Sequence, residues 1–430
     1  MYKYRYEVTA SKLSGCVDIS GSKNAVLPIL AATLINKSVS YVDNCPSLSD
    51  LDVAIDILKT YGCAVEKTGK SIMVDATKAT YVSVPKQLAS KCRASLAFLG
   101  SSVARFGMAE FTLPGGCVLG PRPIDMHVDV MRLLGLEVMG LDRIAVQGKV
   151  IDTNILLPYP SVGVTENIMM IAAANNCSVR IKNAAKEPEI VNLAVYLSAL
   201  GADIKGAGTG TIVIKGHSLT PRNVRICVIP DRIEAATYLI AGAVSGSNVT
   251  VRKCLPGHMS KLLTLLYDMG CNIDVGKDYV RLVQGRLDKK LKPPLFIEAK
   301  PYPCFPTDMQ PPTVAMLSVI TSKKNPTIVT DTVFPGRFAL CTELMKMGAD
   351  INMLKGGCML EGLRFDAPVP SKELISHDLR AGAALIVASL CCDEGAVCHI
   401  YDNGFIERGY ENISEKFSQI GGKVSLKLIQ

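Results

Sequence analysis

Residues 113–122 read LPGGCVLGPR, which puts Cys117 on a Gly-Gly loop, with Arg122 five positions on and Pro123 at a predicted helix start. The glycines let the backbone approach a ligand closely, and a neighbouring cation favours thiolate over thiol. Cys117 is therefore a candidate nucleophile or proton donor; a surface turn with an incidental thiol is the plain alternative in a chain of 15 cysteines. Bases also stand where helix electrostatics alone would put acids. Lys23, Arg93, Arg122, Arg232, Arg337, Arg380 and Arg408 all fall at or near predicted first turns. One such base is an ordinary surface charge. Seven at equivalent places read as oxyanion sites, because exposed N–H groups, the helix dipole and a cationic side chain all favour phosphate or carboxylate. Acids share these places at Glu166, Asp231, Asp308 and Asp378. Asp231 and Asp378 suit N-caps of the helices that carry Arg232 and Arg380. Asp308 follows Thr307, which can cap in its stead and leave the carboxylate to act as a base. The five histidines form no spaced pattern and receive no role.

The elements that must position these residues show up as a repeat. An apolar residue, a Gly, and a Val or Ile three places later recur as YGCAV, LGLEV, LGADI, MGCNI, MGADI and IGGKV. Their glycines, at 62, 135, 201, 270, 348 and 421, are spaced by 73, 66, 69, 78 and 73 residues, a near-constant period that marks a repeat architecture. Four places before each Gly stands Leu58, Met131, Leu197, Leu266, Leu344 or Phe417, one helical turn back, so each copy ends a helix at a C-terminal Gly and enters a strand. Upstream of each lies an Ala-rich, almost uncharged helix, such as NAVLPILAATLI or LRAGAALIVASL, of the kind that is buried on most sides. The unit is strand, buried helix, strand, surface helix, strand. Six units divided three and three give two similar α/β domains. GAGTG at 206–210 is followed by TIVIKG and not by a helix, so it reads as a hairpin turn.

Bulk composition narrows the class. A chain of 430 residues, 48% apolar, buries a large core, and no apolar run approaches the roughly 18 residues of a membrane span. No signal-peptide pattern opens it and no CxxC pair occurs, so a cytoplasmic protein with reduced thiols is expected, without a disulfide framework or zinc site. The net charge of +8 is dispersed, which favours small anionic ligands. With 6% aromatic residues and no Trp, nothing suggests nucleic-acid binding, and no protein partner is indicated.

In chain order, GSKNAVLPILAA, LPGGCVLGPRPID, PSVGVTENIM, NAAKEPEIV, IPDRIEA, FPTDMQ and DLRAGAAL resemble the UDP-N-acetylglucosamine 1-carboxyvinyltransferase family of enolpyruvyltransferases over essentially the whole chain. The resemblance implies two inside-out α/β domains, each of three repeated units. Residues 23–230 would form the first, with the Cys117 loop; 1–22 and 231–430 would form the second, with the active site in the cleft between them. It implies transfer of the enolpyruvyl group of phosphoenolpyruvate to the sugar 3-hydroxyl of UDP-N-acetylglucosamine, releasing phosphate, as the first committed step toward peptidoglycan, with no metal or other cofactor. By motif, Lys23, Arg122 and Arg408 would hold the phosphate of phosphoenolpyruvate, with Arg337 and Arg380 near its carboxylate. Asn24, Arg93, Arg122, Pro123, Ile124, Asp125, Met126, Ser161, Val162 and Gly163 would hold the UDP-sugar, with Val333 lining the sugar site and Asp378 in the binding set. Asp308 would orient or deprotonate the hydroxyl, and Cys117 would protonate the enol carbon or assist product release. Pro121 and Gly336 depart from the commonest family pattern. The alternatives are another acceptor, such as shikimate 3-phosphate, or a non-catalytic UDP-sugar-binding paralogue, which should have lost Cys117, Asp308 or a clamp base.

Overall fold

The computed structural model describes residues 2–90, 93–112, 124–140, 143–245, 248–284, 291–363, 372–393 and 395–429. Its helices are, in order, α1 (Lys23–Thr33), α2 (Ser49–Thr60), the short α3 (Lys86–Ala89), α4 (Ala97–Phe106), α5 (Asp125–Leu133), α6 (Val162–Ala174) and α7 (Pro188–Ala199). They continue with α8 (Arg232–Ser245), α9 (Ser260–Asp268), α10 (Gln310–Ile320), α11 (Leu340–Lys346), α12 (Leu379–Leu390) and α13 (Ile413–Gln419). The six repeat glycines close α2, α5, α7, α9, α11 and α13 with φ between 84° and 114°, the left-handed conformation that glycine adopts without steric cost. Each apolar residue four places earlier is buried.

The described residues divide into two compact units, 2–20 with 230–429, and 21–112 with 124–229. In both, the Ala-rich helices form the middle. Every residue of α8 from Arg232 to Val244 is buried, as is every residue of α12 from Arg380 to Leu390. Helices without a polar face can only be satisfied by other apolar surfaces. Accordingly α8, α10 and α12 pack on one another in one unit, while α4 packs on α1 and α6 in the other. The sheets lie outside them and alternate buried with exposed residues, as in Val224–Cys227.

The repeat carries one strand more than the sequence pattern counts. After the first five surface helices the strand turns back in an antiparallel hairpin, as Ala64–Thr68 does onto Ser71–Asp75, whereas Lys423–Leu428 after α13 pairs antiparallel with the N-terminal strand Tyr4–Thr9. Five sheets have four strands and one has three among the described residues. GAGTG is such a turn, joining Asp203–Lys205 to Thr211–Lys215, with Gly206 and Gly208 at positive φ. Two strands also change places. Gly15–Asp18 precedes α1 but pairs in parallel with Val249–Arg252, whereas Val224–Cys227 precedes α8 but pairs in parallel with Val39–Asp43. Where the first of these strands ends, Ser20 donates its N–H to Glu234 Oε2 at 2.7 Å. Lys416 Nζ then donates to Ser20 Oγ at 2.6 Å and pairs with Glu234 Oε1 at 2.5 Å, so the buried charges are matched. Among the described residues no helix is long and apolar enough to cross a membrane.

α4 and α6 approach each other closely at Gly100. Gly100 donates its N–H to Asn167 Oδ1 at 3.0 Å, and a Cβ at Gly100 would stand 2.9 Å from the Asn167 Cα. Gly100→Ala should therefore cost about 1–3 kcal/mol through overpacking. Gly257→Ala, where a Cβ meets nothing within 4 Å, should stay within about 0.5 kcal/mol of wild type. Denaturant unfolding of both variants measures the difference.

Candidate active site

In the unit that contains α8, α10 and α12, the starts of the buried segments meet around Asp308. This residue sits in a single 3-10 turn, Thr307–Met309, ahead of α10, whose Pro311 and Pro312 occupy positions where no helical N–H partner is lost. Asp308 Oδ1 lies 2.6 Å from Arg337 Nη2 and 3.5 Å from Arg380 Nε. Both arginine side chains are almost fully buried, 4% and 2% exposed, while that of Asp308 is 23% exposed, so the carboxylate is the accessible member of the group. Buried Arg232 lies with its guanidinium over the Tyr302 ring at 5.3 Å, and Arg380 stacks similarly on Tyr410 at 5.2 Å. Burial alone would raise the Asp308 carboxyl, but the positive charges of Arg337, Arg380 and Arg232 hold it well below the usual carboxylate range.

Three guanidinium groups around one carboxylate leave donors over. Arg337 Nε and Arg380 Nη1 are buried without a hydrogen-bond partner among the described residues, and so are both amide atoms of Gln310. Buried polar atoms are rarely left so, and here they mark a place for an anionic, oxygen-rich ligand.

Thr307 does not cap its helix. Its hydroxyl donates to Asp331 Oδ2 at 2.6 Å and accepts from Arg337 Nη1 at 3.1 Å. Nor is Asp308 left free, since it is spent on two arginines; a carboxylate so held is a weak base, better suited to orienting a hydroxyl than to carrying its proton away. Asp331, which the sequence pattern did not single out, is 2% exposed and accepts from the N–H groups of Val333 and Phe334, both at 2.8 Å. It thereby sets the turn that carries Val333 into the 3-10 segment Pro335–Ala339 with Arg337. The sequence signal was an Asp two residues before Val333 and four before Pro335, the pattern of an Asx turn leading into a helix start. Gly336 in that segment is exposed.

Asp231 and Asp378 are the N-caps expected. Asp378 Oδ1 accepts from the N–H groups of Arg380 at 2.7 Å and Ala381 at 3.0 Å, and Asp231 Oδ1 from Ile233 and Glu234 at 2.8 and 3.0 Å. The 2%-exposed Asp378 thus serves the backbone of α12. Arg408, half-buried, ends the 3-10 turn Ile406–Arg408, which packs against α12.

The other unit holds the remaining expected residues that are described. Lys23, at the first position of α1, is buried and pairs with Asp50 of α2 at 2.7 Å; Asn24 beside it is half-buried. Arg93 opens the 3-10 turn Arg93–Leu96. Ile124, Asp125 and Met126 start α5, with Asp125 exposed and the other two half-buried. Ser161, Val162 and Gly163 form the half-buried opening of α6, where no side chain caps the helix and its N–H groups are left to other acceptors. These two segments meet at His127, another residue not singled out, whose Cε1 lies 3.7 Å from a Cβ placed on Gly163. Asn167 fixes the ring: its Oδ1 accepts from Gly100 N–H and its Nδ2 donates to Leu96 O, so Nδ2 must also be the donor to His127 Nδ1 at 3.1 Å. In the neutral ring the proton is then on Nε2. Cys117, Arg122, Pro121 and Pro123 lie outside the described residues. Among the described residues no cluster of three or more His, Cys, Asp or Glu is placed to hold a metal ion.

Residues 8–417 match the EPSP synthase (3-phosphoshikimate 1-carboxyvinyltransferase) family. UDP-N-acetylglucosamine 1-carboxyvinyltransferase 2 of Caldanaerobacter subterraneus subsp. tengcongensis is 38% identical over 98% of this chain and 99% of its own length. UDP-N-acetylglucosamine 1-carboxyvinyltransferase 1 of Carboxydothermus hydrogenoformans is 39% identical over 96% and 95%. Among solved structures, the enolpyruvyl transferase NikO from Streptomyces tendae superimposes with a TM-score of 0.87 at 23% identity over 100% of both chains. EPSP synthase from Acinetobacter baumannii does so with a TM-score of 0.74 at 16% identity over 99% of this chain and 100% of its own; both likenesses speak to fold alone. With identities near 38% along almost its whole length, the chain belongs to the UDP-N-acetylglucosamine 1-carboxyvinyltransferase family of enolpyruvyl transferases.

Proposed function

We propose that the protein transfers the enolpyruvyl group of phosphoenolpyruvate to the 3-hydroxyl of UDP-N-acetylglucosamine, releasing phosphate, in the first committed step of peptidoglycan synthesis. The choice of acceptor is supported by the near-full-length similarity to relatives of that name. The chemistry is supported by one observation above the others: an accessible carboxylate, Asp308, between two buried guanidinium groups that still have unpartnered donors. That arrangement accepts a hydroxyl hydrogen bond and a substrate anion side by side. In the addition step the hydroxyl oxygen bonds to C2 of phosphoenolpyruvate as its O–H bond breaks and that proton passes to solvent, while the Cys117 thiol gives a proton to C3; in the elimination step C3 returns a proton to the Cys117 thiolate, the C2–O bond to phosphate breaks, and phosphate leaves. Asp308 orients the hydroxyl, Arg337 and Arg380 hold the substrate carboxylate, and Lys23, Arg122 and Arg408 hold the phosphate. Asn24, Arg93, residues 122–126, 161–163 and Val333 hold the UDP-sugar, and Cys117 supplies the proton to C3. A cytoplasmic location accords with the absence of disulfides among the described cysteines.

Phosphate release from phosphoenolpyruvate should require UDP-N-acetylglucosamine and should not be supported by shikimate 3-phosphate; release that ignores the UDP-sugar overturns the acceptor assignment.

Asp308→Asn should lower turnover by about 10² to 10⁴, because the amide no longer draws the hydroxyl hydrogen. It should also destabilise the fold at pH 7 by removing the carboxylate that pairs with Arg337 and Arg380. The Asp308 carboxyl titrates below its unfolded value of about 3.9, so its stabilisation is complete above that pH and fades as pH falls through the folded value. The deficit of Asp308→Asn against wild type in thermal unfolding should therefore be largest near neutrality and shrink below about pH 4.

For Cys117, a proton-donor role predicts that Cys117→Ala loses most activity while Cys117→Asp keeps a measurable part with an acid-shifted optimum. An epoxide phosphonate resembling phosphoenolpyruvate should label Cys117 ahead of the other fourteen cysteines, and faster with UDP-N-acetylglucosamine present. Peptide mass spectrometry decides this, and labelling spread over many cysteines marks Cys117 as an ordinary loop thiol.

A further inference from the structure

Arg380 and Arg408 are carried by neighbouring turns with a common foundation. The strands Lys372–Ile375 and Val397–Asp402 run parallel, with Ile375 opposite Tyr401, so the turns that follow them leave the sheet side by side at its C-terminal edge. The first turn runs through Ser376 to the Asp378 cap of α12; the second runs through Gly404 to Arg408. Asp402, the last residue of its strand, is 0% exposed and accepts at Oδ2 from Gly404 N–H at 2.8 Å and Ile406 N–H at 3.4 Å. The Phe405 N–H and the Ser376 hydroxyl also lie against this carboxylate. Ser376 in turn donates to the Asp378 carbonyl at 3.1 Å, so one buried side chain touches both turns.

Glycines lock the two turns together. A Cβ on Gly382 of α12 would collide with Ile406 and with the Ser376 hydroxyl, and one on Gly409 would collide with Leu379. Tyr410, directly after the second turn, supplies the ring under the Arg380 guanidinium and shares a 3.0 Å hydrogen bond with Thr237. Movement of residues 403–408 thus displaces Arg408 itself and the platform on which Arg380 rests.

We propose that Asp402 is a positioning residue for the phosphoenolpyruvate clamp: it holds the turn between its strand and Arg408 by its backbone N–H groups, and so sets the placement of Arg408 and Arg380 without touching substrate. The assignment rests on the roles given to these two arginines above. A carboxylate suits the task because its Oδ2 accepts from two N–H groups at once, and charge-assisted bonds of this kind are stronger than neutral ones. The sheet beneath is rigid, and a catalytic group shifted by about 1 Å can lose on the order of 100-fold in rate.

The test compares full-length wild type, Asp402→Ala and Asp402→Asn. In Asp402→Ala, amide exchange at Gly404–Ile406 should accelerate while that of Val249–Arg252 in another sheet of the same unit does not. The KM for phosphoenolpyruvate should rise about 10- to 100-fold, with the KM for UDP-N-acetylglucosamine within about twofold. Asp402→Asn, which keeps one acceptor oxygen in place, should recover most of both losses. Should Asp402→Ala not fold, Asp402→Ser, too short to reach the Ile406 N–H, is read in the same way. Accelerated exchange at the turn with an unchanged phosphoenolpyruvate KM overturns the proposal, and so does an equal rise for both substrates. If wild type binds phosphoenolpyruvate in calorimetry but does not turn over, the functional reading fails by itself. Asp402 is then judged on the calorimetric Kd, which should weaken in Asp402→Ala and return in Asp402→Asn; a Kd equal to wild type in Asp402→Ala overturns the proposal.

Discussion

A guanidinium group cannot be taken out of water without an anion to meet it, and in the unit built on α8, α10 and α12 the described anion that meets Arg337 and Arg380 is Asp308. The rest of that unit follows from where such a group can be put. α8, α10 and α12 have no polar face, so each is enclosed by the other two and by the sheets around them. Charge is tolerated only at their ends, where the last unpaired N–H groups already require acceptors. Arg232 and Arg380 open two of these helices, and Asp308 stands just ahead of the third. Burying the helices thus gathers charged residues that lie far apart in the sequence.

The price of that gathering is visible in what stays unsatisfied. Asp308 uses its charge on Arg337 and Arg380, yet Arg337 Nε, Arg380 Nη1 and the Gln310 amide have no partner among the described residues. An interior optimised for stability would carry apolar residues here, or acceptors for each donor. Held donors with no acceptor cost little further reorganisation when an anion arrives, which is how electrostatic stabilisation of a reacting group works. The same field that keeps Asp308 ionised weakens it as a base. In the proposed reaction its contribution is direction: a fixed acceptor that points the hydroxyl, while the proton leaves to solvent as the new bond forms.

What was legible in the sequence was local. The six glycines at positive φ, the buried residues one turn before them and the caps at Asp231 and Asp378 are each decided within a few residues of chain, and the structure has them where spacing placed them. The hairpin return strands were passed over because five residues such as Ser71–Asp75 give too short an alternation to stand out. The exchange of Gly15–Asp18 and Val224–Cys227 between sheets is a matter of pairing over more than 180 residues, on which local pattern is silent. The site divides in the same way. Bases at helix starts could be read as oxyanion sites from their positions alone, but their roles came from the resemblance. Thr307 was misjudged because its partner, Asp331, lies 24 residues on; Asp402 and His127 escaped notice because their importance lies in which turn or side chain they hold.

The repeat also explains how one scaffold came to hold unlike chemistries. Equivalent helix starts present Lys23 paired with Asp50, the uncapped Ser161–Gly163, Arg232 stacked on Tyr302, Asp308, and the Asp378-capped Arg380. Packing constrains the bodies of these helices, since a polar residue there would be buried without a partner. It constrains their first turns far less, because a side chain at that position reaches the helix end and can be answered by a ligand. Substitution is therefore cheap at the very places where substrate is to be held, and the apolar remainder of each helix preserves the geometry while it happens. An uncapped start such as Ser161–Gly163 offers bare N–H groups to a neutral or anionic oxygen, whereas the Arg380 start adds a full charge and a planar fork of donors. In the roles proposed above, the difference between holding a sugar nucleotide and clamping a small anion is thus written in the first turn of each repeat, on backbones that are otherwise alike.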